Sequence, residues 1–196
     1  MVKIGIVGAR GVYVAGAVAA MPERAKITAA CDLDEEVLKR SCERVLELGA
    51  SAELPKAYRV YEDMLSSADI DAVVISTPMQ CHVPQALLAL EAGKHVMCEV
   101  TAGVTMDELF WLVDAVEASG KIYMYAENYC YMPEVQLVRE LVKRGMLGEI
   151  YYGEGEYTHD CSSLCFHEGK KTWRHYWQMG TRGAFYPTHS LGPVMQ

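Results

Sequence analysis

The sequence predicts a doubly wound α/β fold, a parallel sheet covered by helices on both faces, followed by the start of a second α/β domain. Three observations predict it. Short apolar runs at residues 3–7, 27–31, 57–60, 72–76, 95–98 and 122–125 alternate with amphipathic stretches opening near Gly11, Asp34, Tyr61, Val83 and Thr105. The runs are continuous in Val, Ile and Ala, as strands buried on both faces require. The pattern then changes after Tyr125, which divides the chain into residues 1–125 and residues 126–196.

The first strand runs into Gly8-Ala9-Arg10-Gly11-Val12-Tyr13, and an Ala/Val-rich helix pattern follows. Asp32 closes the second apolar run. Strand, glycine turn, helix, strand and acid is the order a dinucleotide site needs. The turn seats a pyrophosphate against helix N-terminal amides, and the acid accepts hydrogen bonds from ribose hydroxyls. The acid points to NAD rather than NADP. The turn departs from the usual G-x-G-x-x-G motif, because Arg10 and Tyr13 stand where glycines are expected. Arg10 either swings out to face a phosphate or is simply solvated. Tyr13 either leans over the cofactor or fills space between helix and sheet. The plainer reading is a nucleotide-free domain in which Gly8 and Gly11 only make a turn.

Helix punctuation supports the alternation. Gly49, Gly93 and Gly120 stand where helices should stop, and the helix before Gly49 opens at Asp34. Thr105-Met106-Asp107-Glu108 reads as a capping box. Beyond Tyr125 a helix is expected over residues 132–144, ending at Gly145. Residues 149–158 alternate and are rich in Tyr, as a half-exposed antiparallel strand is. Residues 161–183 lack periodicity and read as a loop over a site, and Gly192-Pro193-Val194 reads as a helix start.

The chain has 196 residues, 51% hydrophobic and 22% charged, ordinary values for a soluble globular protein. A net charge of −8 argues against a nucleic-acid backbone or an anionic membrane as partner. The apolar runs are too short to span a bilayer, and no leader is expected because the start runs straight into a strand. Seven cysteines, an odd number scattered through strands and helices, read as reduced cytoplasmic thiols.

Further along, Ile75-Ser76-Thr77-Pro78 with His82, and the segment from Glu91 through Gly93-Lys94-His95-Val96-Met97-Cys98 to Glu99, resemble the glucose–fructose oxidoreductase / inositol dehydrogenase / MocA family. The resemblance covers essentially the whole chain. It implies a Rossmann domain followed by an incomplete substrate domain. The implied activity is hydride transfer between NAD(P) and a sugar or polyol carbinol. It places Ser76, Thr77, Pro78, His82 and Glu99 at strand ends beside the cofactor, with Gly8, Arg10, Gly11, Val12, Tyr13 and Asp32. A homo-oligomer is the expected assembly. The family usually continues Glu-Lys-Pro, with the lysine near the reacting carbinol. Here Val100 and Thr101 follow Glu99, so acid/base groups must lie elsewhere.

A narrower resemblance says where. Residues 126–131, 148–150, 153–160 and 186–193 look like the branch containing the NAD-dependent α-N-acetylgalactosaminidases, which also lacks the Lys-Pro pair. By that resemblance Glu127, Tyr157, His159, Tyr186 and His189 line the sugar and nicotinamide pocket. The branch oxidises a sugar 3-hydroxyl transiently, eliminates the glycosidic group, adds water and returns the hydride. His159 and His189 are the proton-transfer candidates, because histidine titrates near neutral pH. The alternatives for all five are interface hydrogen bonds, a salt bridge at Glu127 and simple packing of the tyrosines. The resemblance implies a whole protein about twice the length of this chain. The chain is therefore expected to be a fragment, or a truncated product that leans on a partner subunit or only binds dinucleotide.

Two further groups stand out. His159, Cys161, Cys165 and His167 are zinc-ligand types crowded together, but their spacing matches no paired Cys-x-x-Cys site, and no metal is expected. Lys170, Lys171, Arg174 and Arg182 form a mild basic cluster suited to a carboxylate or to a solvated face.

Overall fold

The computed structural model describes residues 1–180 and 187–196. The chain divides into two compact units, Met1–Ala126 and Glu127–Gln196. The first is a six-stranded sheet in the order β3-β2-β1-β4-β5-β6, with every pairing parallel. Its strands are β1 (Val2–Val7), β2 (Ala25–Cys31), β3 (Lys56–Tyr58), β4 (Ala72–Ile75), β5 (His95–Cys98) and β6 (Tyr123–Tyr125). Its helices are α1 (Ala15–Ala19), α2 (Glu35–Glu47), α3 (Tyr61–Ser67), α4 (His82–Glu91) and α5 (Met106–Ser119).

Neighbouring residues of one strand feed opposite faces. Val7, Ala29, Val73 and Ile75 enter one buried cluster, and Ile6, Ala30 and Val74 enter the other. A strand buried on both faces must be apolar at consecutive positions, which is why these runs do not alternate. The reversal of strand order lies between β1 and β4, and ligands of such sheets bind beside the carboxyl ends of the strands at that point.

Local signals set the helix ends. Asp34 accepts from the Glu36 and Val37 amides at the start of α2. Thr105 and Glu108 form the reciprocal capping box of α5. Gly49, Gly93 and Gly120 follow their helices with φ of 75°, 72° and 61°. One start differs from expectation. Residues Ala9–Val14 form a 3-10 turn, and α-helix begins only at Ala15. Gly11 is wedged there, because a Cβ on it would lie 3.0 Å from Ile6 Cβ.

The second unit contains α6 (Pro133–Lys143), a short hairpin of β7 (Phe166–His167) and β8 (Lys170–Lys171), α7 (Trp173–Gln178) and α8 (Thr188–Met195). Three expectations need correction here. Residues 149–158 form no strand: they carry the alternation, but among the described residues no strand pairs with them. A strand needs a hydrogen-bonded neighbour as well as a pattern. Residues 161–180 are not a plain loop, since a 3-10 turn, the hairpin and α7 lie within them. The last helix starts at Thr188 rather than at Gly192, and Pro193 lies inside it. Among the described residues, no helix is long and apolar enough to cross a membrane.

Candidate functional site

At the carboxyl edge of the sheet, the Gly8 amide donates to the Cys31 carbonyl at 2.9 Å, and the Gly11 amide donates to the Gly8 carbonyl at 2.9 Å. Gly8 has φ 87°, and a Cβ there would lie 2.7 Å from the Ser76 carbonyl oxygen. The turn after β1 thus lies directly against the end of β4. Ser76 is buried, and its hydroxyl has no hydrogen-bond partner among the described residues. Asp32 uses Oδ1 to accept the Asp34 amide at 2.9 Å, leaving Oδ2 without a partner among the described residues. A bare carboxylate oxygen beyond β2 and an unpaired hydroxyl beyond β4 suit a ligand rich in hydroxyls and amides. The residues present therefore fit a dinucleotide.

The two atypical residues of the turn part company: Tyr13 is turned outward and Arg10 reaches towards Glu99. Arg10 Nε lies 3.5 Å from Glu99 Oε2, and its guanidinium carbon lies 5.8 Å from the Tyr13 ring centroid. Tyr13 is 75% exposed, so it does not fill space between helix and sheet. Val12 packs against the buried cluster that contains Ile6.

Thr77 donates its hydroxyl proton to Gln85 Oε1 at 2.6 Å, and Pro78 leads into the 3-10 turn Met79–Cys81. His82 is fully buried. Its Nδ1 lies 2.6 Å from the Thr101 carbonyl oxygen and its Nε2 lies 2.8 Å from the Thr77 carbonyl oxygen. It ties the loop after β4 to the loop after β5. Glu99 follows β5, and its amide donates to the Ile75 carbonyl at 3.0 Å.

The second unit gathers a separate cluster. His189 Nδ1 lies 2.7 Å from Glu127 Oε1, and both side chains are nearly buried. A carboxylate only accepts, so Nδ1–H donates. The Tyr129 amide also donates to Glu127 Oε1, at 3.0 Å. Glu127 Oε2 is buried without a partner among the described residues. The Tyr129 ring stacks on the His189 ring with centroids 4.1 Å apart and planes 17° apart. Tyr157 meets His189 edge-on at 4.8 Å, and its hydroxyl lies 2.8 Å from His159 Nδ1. Desolvation raises the Tyr129 phenol above its ordinary value, and Tyr157 and Glu127 push it the same way. Gly192 lets α8 close on this cluster, because a Cβ there would lie 3.0 Å from Cys130 Sγ and 3.1 Å from Glu127 Cγ.

Four of the five expected pocket residues, Glu127, Tyr157, His159 and His189, lie in this one cluster. Tyr186 lies outside the described residues, as does Arg182 of the basic group. Sequence reasoning missed Tyr129. Its signal was its place two residues beyond Glu127, which caps its own turn and so brings Tyr129 alongside. Arg174 packs on the Trp173 ring at 4.6 Å and Lys171 on the Tyr176 ring at 5.8 Å, so these cations partly cover aromatics. Among the described residues no group of three or more His, Cys, Asp or Glu side chains is placed to hold a metal.

Comparison with known proteins agrees with both units. Residues 2–127 match a family described as "Oxidoreductase family, NAD-binding Rossmann fold", and residues 131–196 match "Glycosyl hydrolase 109, C-terminal domain". A glycosyl hydrolase family 109 protein of Shewanella pealeana is 38% identical over 175 residues, covering 87% of this chain and 38% of the relative. One from Shewanella amazonensis is 39% identical over 178 residues, covering 89% of this chain and 39% of the relative. The chain thus spans about two fifths of the length of these curated relatives. Among solved structures, scyllo-inositol dehydrogenase from Lactobacillus casei with bound NAD(H) and scyllo-inositol aligns with TM-score 0.66 and 27% identity, covering 76% of this chain and 43% of that one. The WlbA dehydrogenase of Bordetella pertussis, in complex with NADH and UDP-GlcNAcA, aligns with TM-score 0.67 and 25% identity, covering 76% and 42%. The chain belongs to the oxidoreductase family with the NAD-binding Rossmann fold.

Proposed function

We propose that this chain is the cofactor-binding part, with the opening of the substrate domain, of an NAD-dependent oxidoreductase acting on a carbinol of a sugar or polyol. The observation that carries the chemistry is the nearly buried Glu127–His189 pair with Tyr129 and Tyr157 against it. Asp32 holds the adenosine ribose, and the turn at Gly8 and Gly11 receives the diphosphate. Ser76, Thr77, Pro78 and Glu99 line the far side, while His82 positions the two loops it joins. A bound NAD would supply the hydride acceptor for the carbinol carbon. The chain's own residues handle the proton. The Glu127 carboxylate accepts Nδ1–H of His189 and so fixes the orientation of its ring, and His189 is the residue assigned to proton transfer with the carbinol. Tyr157 and His159, joined through the phenol oxygen, are suited to a substrate hydroxyl. Val100 can neither donate nor relay a proton, so the proton chemistry is assigned to side chains other than the lysine usual in the family.

A second reading is favoured by the glycosyl hydrolase 109 match over residues 131–196. In it the carbinol is oxidised transiently, the neighbouring proton is removed and the glycosidic group leaves by elimination. Water then adds and the hydride returns. One experiment separates the two. With a panel of polyols, sugars and chromogenic glycosides, a dehydrogenase accumulates reduced nicotinamide in proportion to product. The glycosidase releases aglycone with no net reduction and stops when NAD is stripped. Failure of the chain to bind either NAD or NADP refutes both readings.

A further inference from the structure

The Arg10–Glu99 ion pair joins two loops between which a cofactor has to enter. Arg10 follows the end of β1 and Glu99 follows the end of β5, so in the observed strand order the pair spans the carboxyl end of β4. That is the crevice beside the β1/β4 switch point. The pair is loosely made. Its N···O distance is 3.5 Å, and the two side chains are 54% and 30% exposed. Exposed pairs of this kind are weak, and a diphosphate offers two negative charges against the single charge of the carboxylate. The guanidinium fork matches phosphate oxygens, and Arg10 stands where the usual motif has a glycine that admits the diphosphate to the backbone.

We propose that Arg10 is a diphosphate-binding residue whose guanidinium is held by Glu99 until the cofactor arrives. The incoming diphosphate displaces the Glu99 carboxylate, so binding opens the side-chain bridge across β4 while the Glu99 amide stays on the Ile75 carbonyl. A side-chain cation thereby replaces the close backbone approach that the missing glycine normally provides. This inference rests on the NAD reading above and adds the ion exchange to it.

Calorimetric titration of the chain with NAD and, separately, with adenosine tests the exchange. Glu99→Gln should tighten NAD about two- to fivefold, the amount a weak exposed pair withholds, and leave adenosine unchanged. Arg10→Gln should weaken NAD by about tenfold or more, with Arg10→Lys in between. In the Arg10→Gln background, Glu99→Gln should bring no gain. An equal gain in both backgrounds would show general charge repulsion and overturn the exchange. NAD binding that ignores Arg10→Gln overturns it as well, provided the melting curve shows a folded chain. Wild-type chain that binds no NAD overturns the functional reading itself, whereas wild type that binds while the variants do not respond overturns this inference alone.

Discussion

Replacing Gly8 with alanine should unseat the junction between β1 and β4. Gly8 sits at φ 87° and ψ 144°, a conformation nearly confined to glycine, which costs another residue about 1–3 kcal/mol. The added methyl also meets backbone, lying 2.7 Å from the Ser76 carbonyl oxygen and 2.9 Å from its carbon. Neither atom can rotate away, because the Ser76 amide is fixed to the Val7 carbonyl at 2.8 Å. Relieving that overlap costs a further 1–3 kcal/mol or so, giving about 4 kcal/mol in all. For a unit of this size each kcal/mol moves the thermal midpoint by about 4 °C, so the transition should fall by about 16 °C. Melting followed by far-ultraviolet circular dichroism reads the shift. Gly16→Ala is the internal control. A Cβ there meets nothing within 4 Å, and the exposed site in α1 should gain about 0.5–1 kcal/mol from the better helix former. If Gly8→Ala melts with wild type, the close approach of the turn to β4 is wrong. If both variants fall equally, the loss is not specific to Gly8.

Three further outcomes are expected. Asp32→Ala should weaken NAD by about tenfold, through loss of charged hydrogen bonds to the ribose, and weaken NADP less; unchanged NAD affinity in a competition titration would remove Asp32 from the site. Burial pushes the Cys98 thiol up from 9.0 to about 12. The unfolded chain therefore releases this proton first. Stability is intact below pH 9 and falls as pH rises from 9 towards 12, by about 1.4 kcal/mol at pH 10. Urea melts at pH 8 and pH 10 should show that difference shrink in Cys98→Ala, and an unchanged difference would place the loss elsewhere. Thr105→Ala should cost about 1 kcal/mol by removing the acceptor for the Glu108 amide at 3.2 Å, whereas Thr105→Ser should retain most of it; equal melting of all three proteins would deny the cap a role.

Much of the first unit is written locally. Continuous Val/Ile/Ala runs require cover on both faces, and Asp34 and Thr105 cap with their own side chains. Glycines after α2, α4 and α5 stop those helices. Each effect acts within a few residues, so each can be read along the chain. The second unit obeys such rules only in part. Residues 149–158 carry a strand's alternation yet form no strand, because a ladder needs a partner that pattern alone does not supply.

The sequence by itself determined the parallel sheet, its helix ends and the place of Asp32 beyond the second strand, since these follow from short-range periodicity and capping. A family resemblance in the sequence also pointed to Glu127, Tyr157, His159 and His189 as candidate pocket residues. Only the tertiary structure decided how they meet. Glu127 and His189 are 62 residues apart in the chain and 2.7 Å apart in space, with Tyr129 stacked between the same elements. The structure likewise turned Tyr13 outward and laid Arg10 towards Glu99, because the partner of a side chain is chosen by which strand ends the sheet order brings together. No local pattern encodes that order.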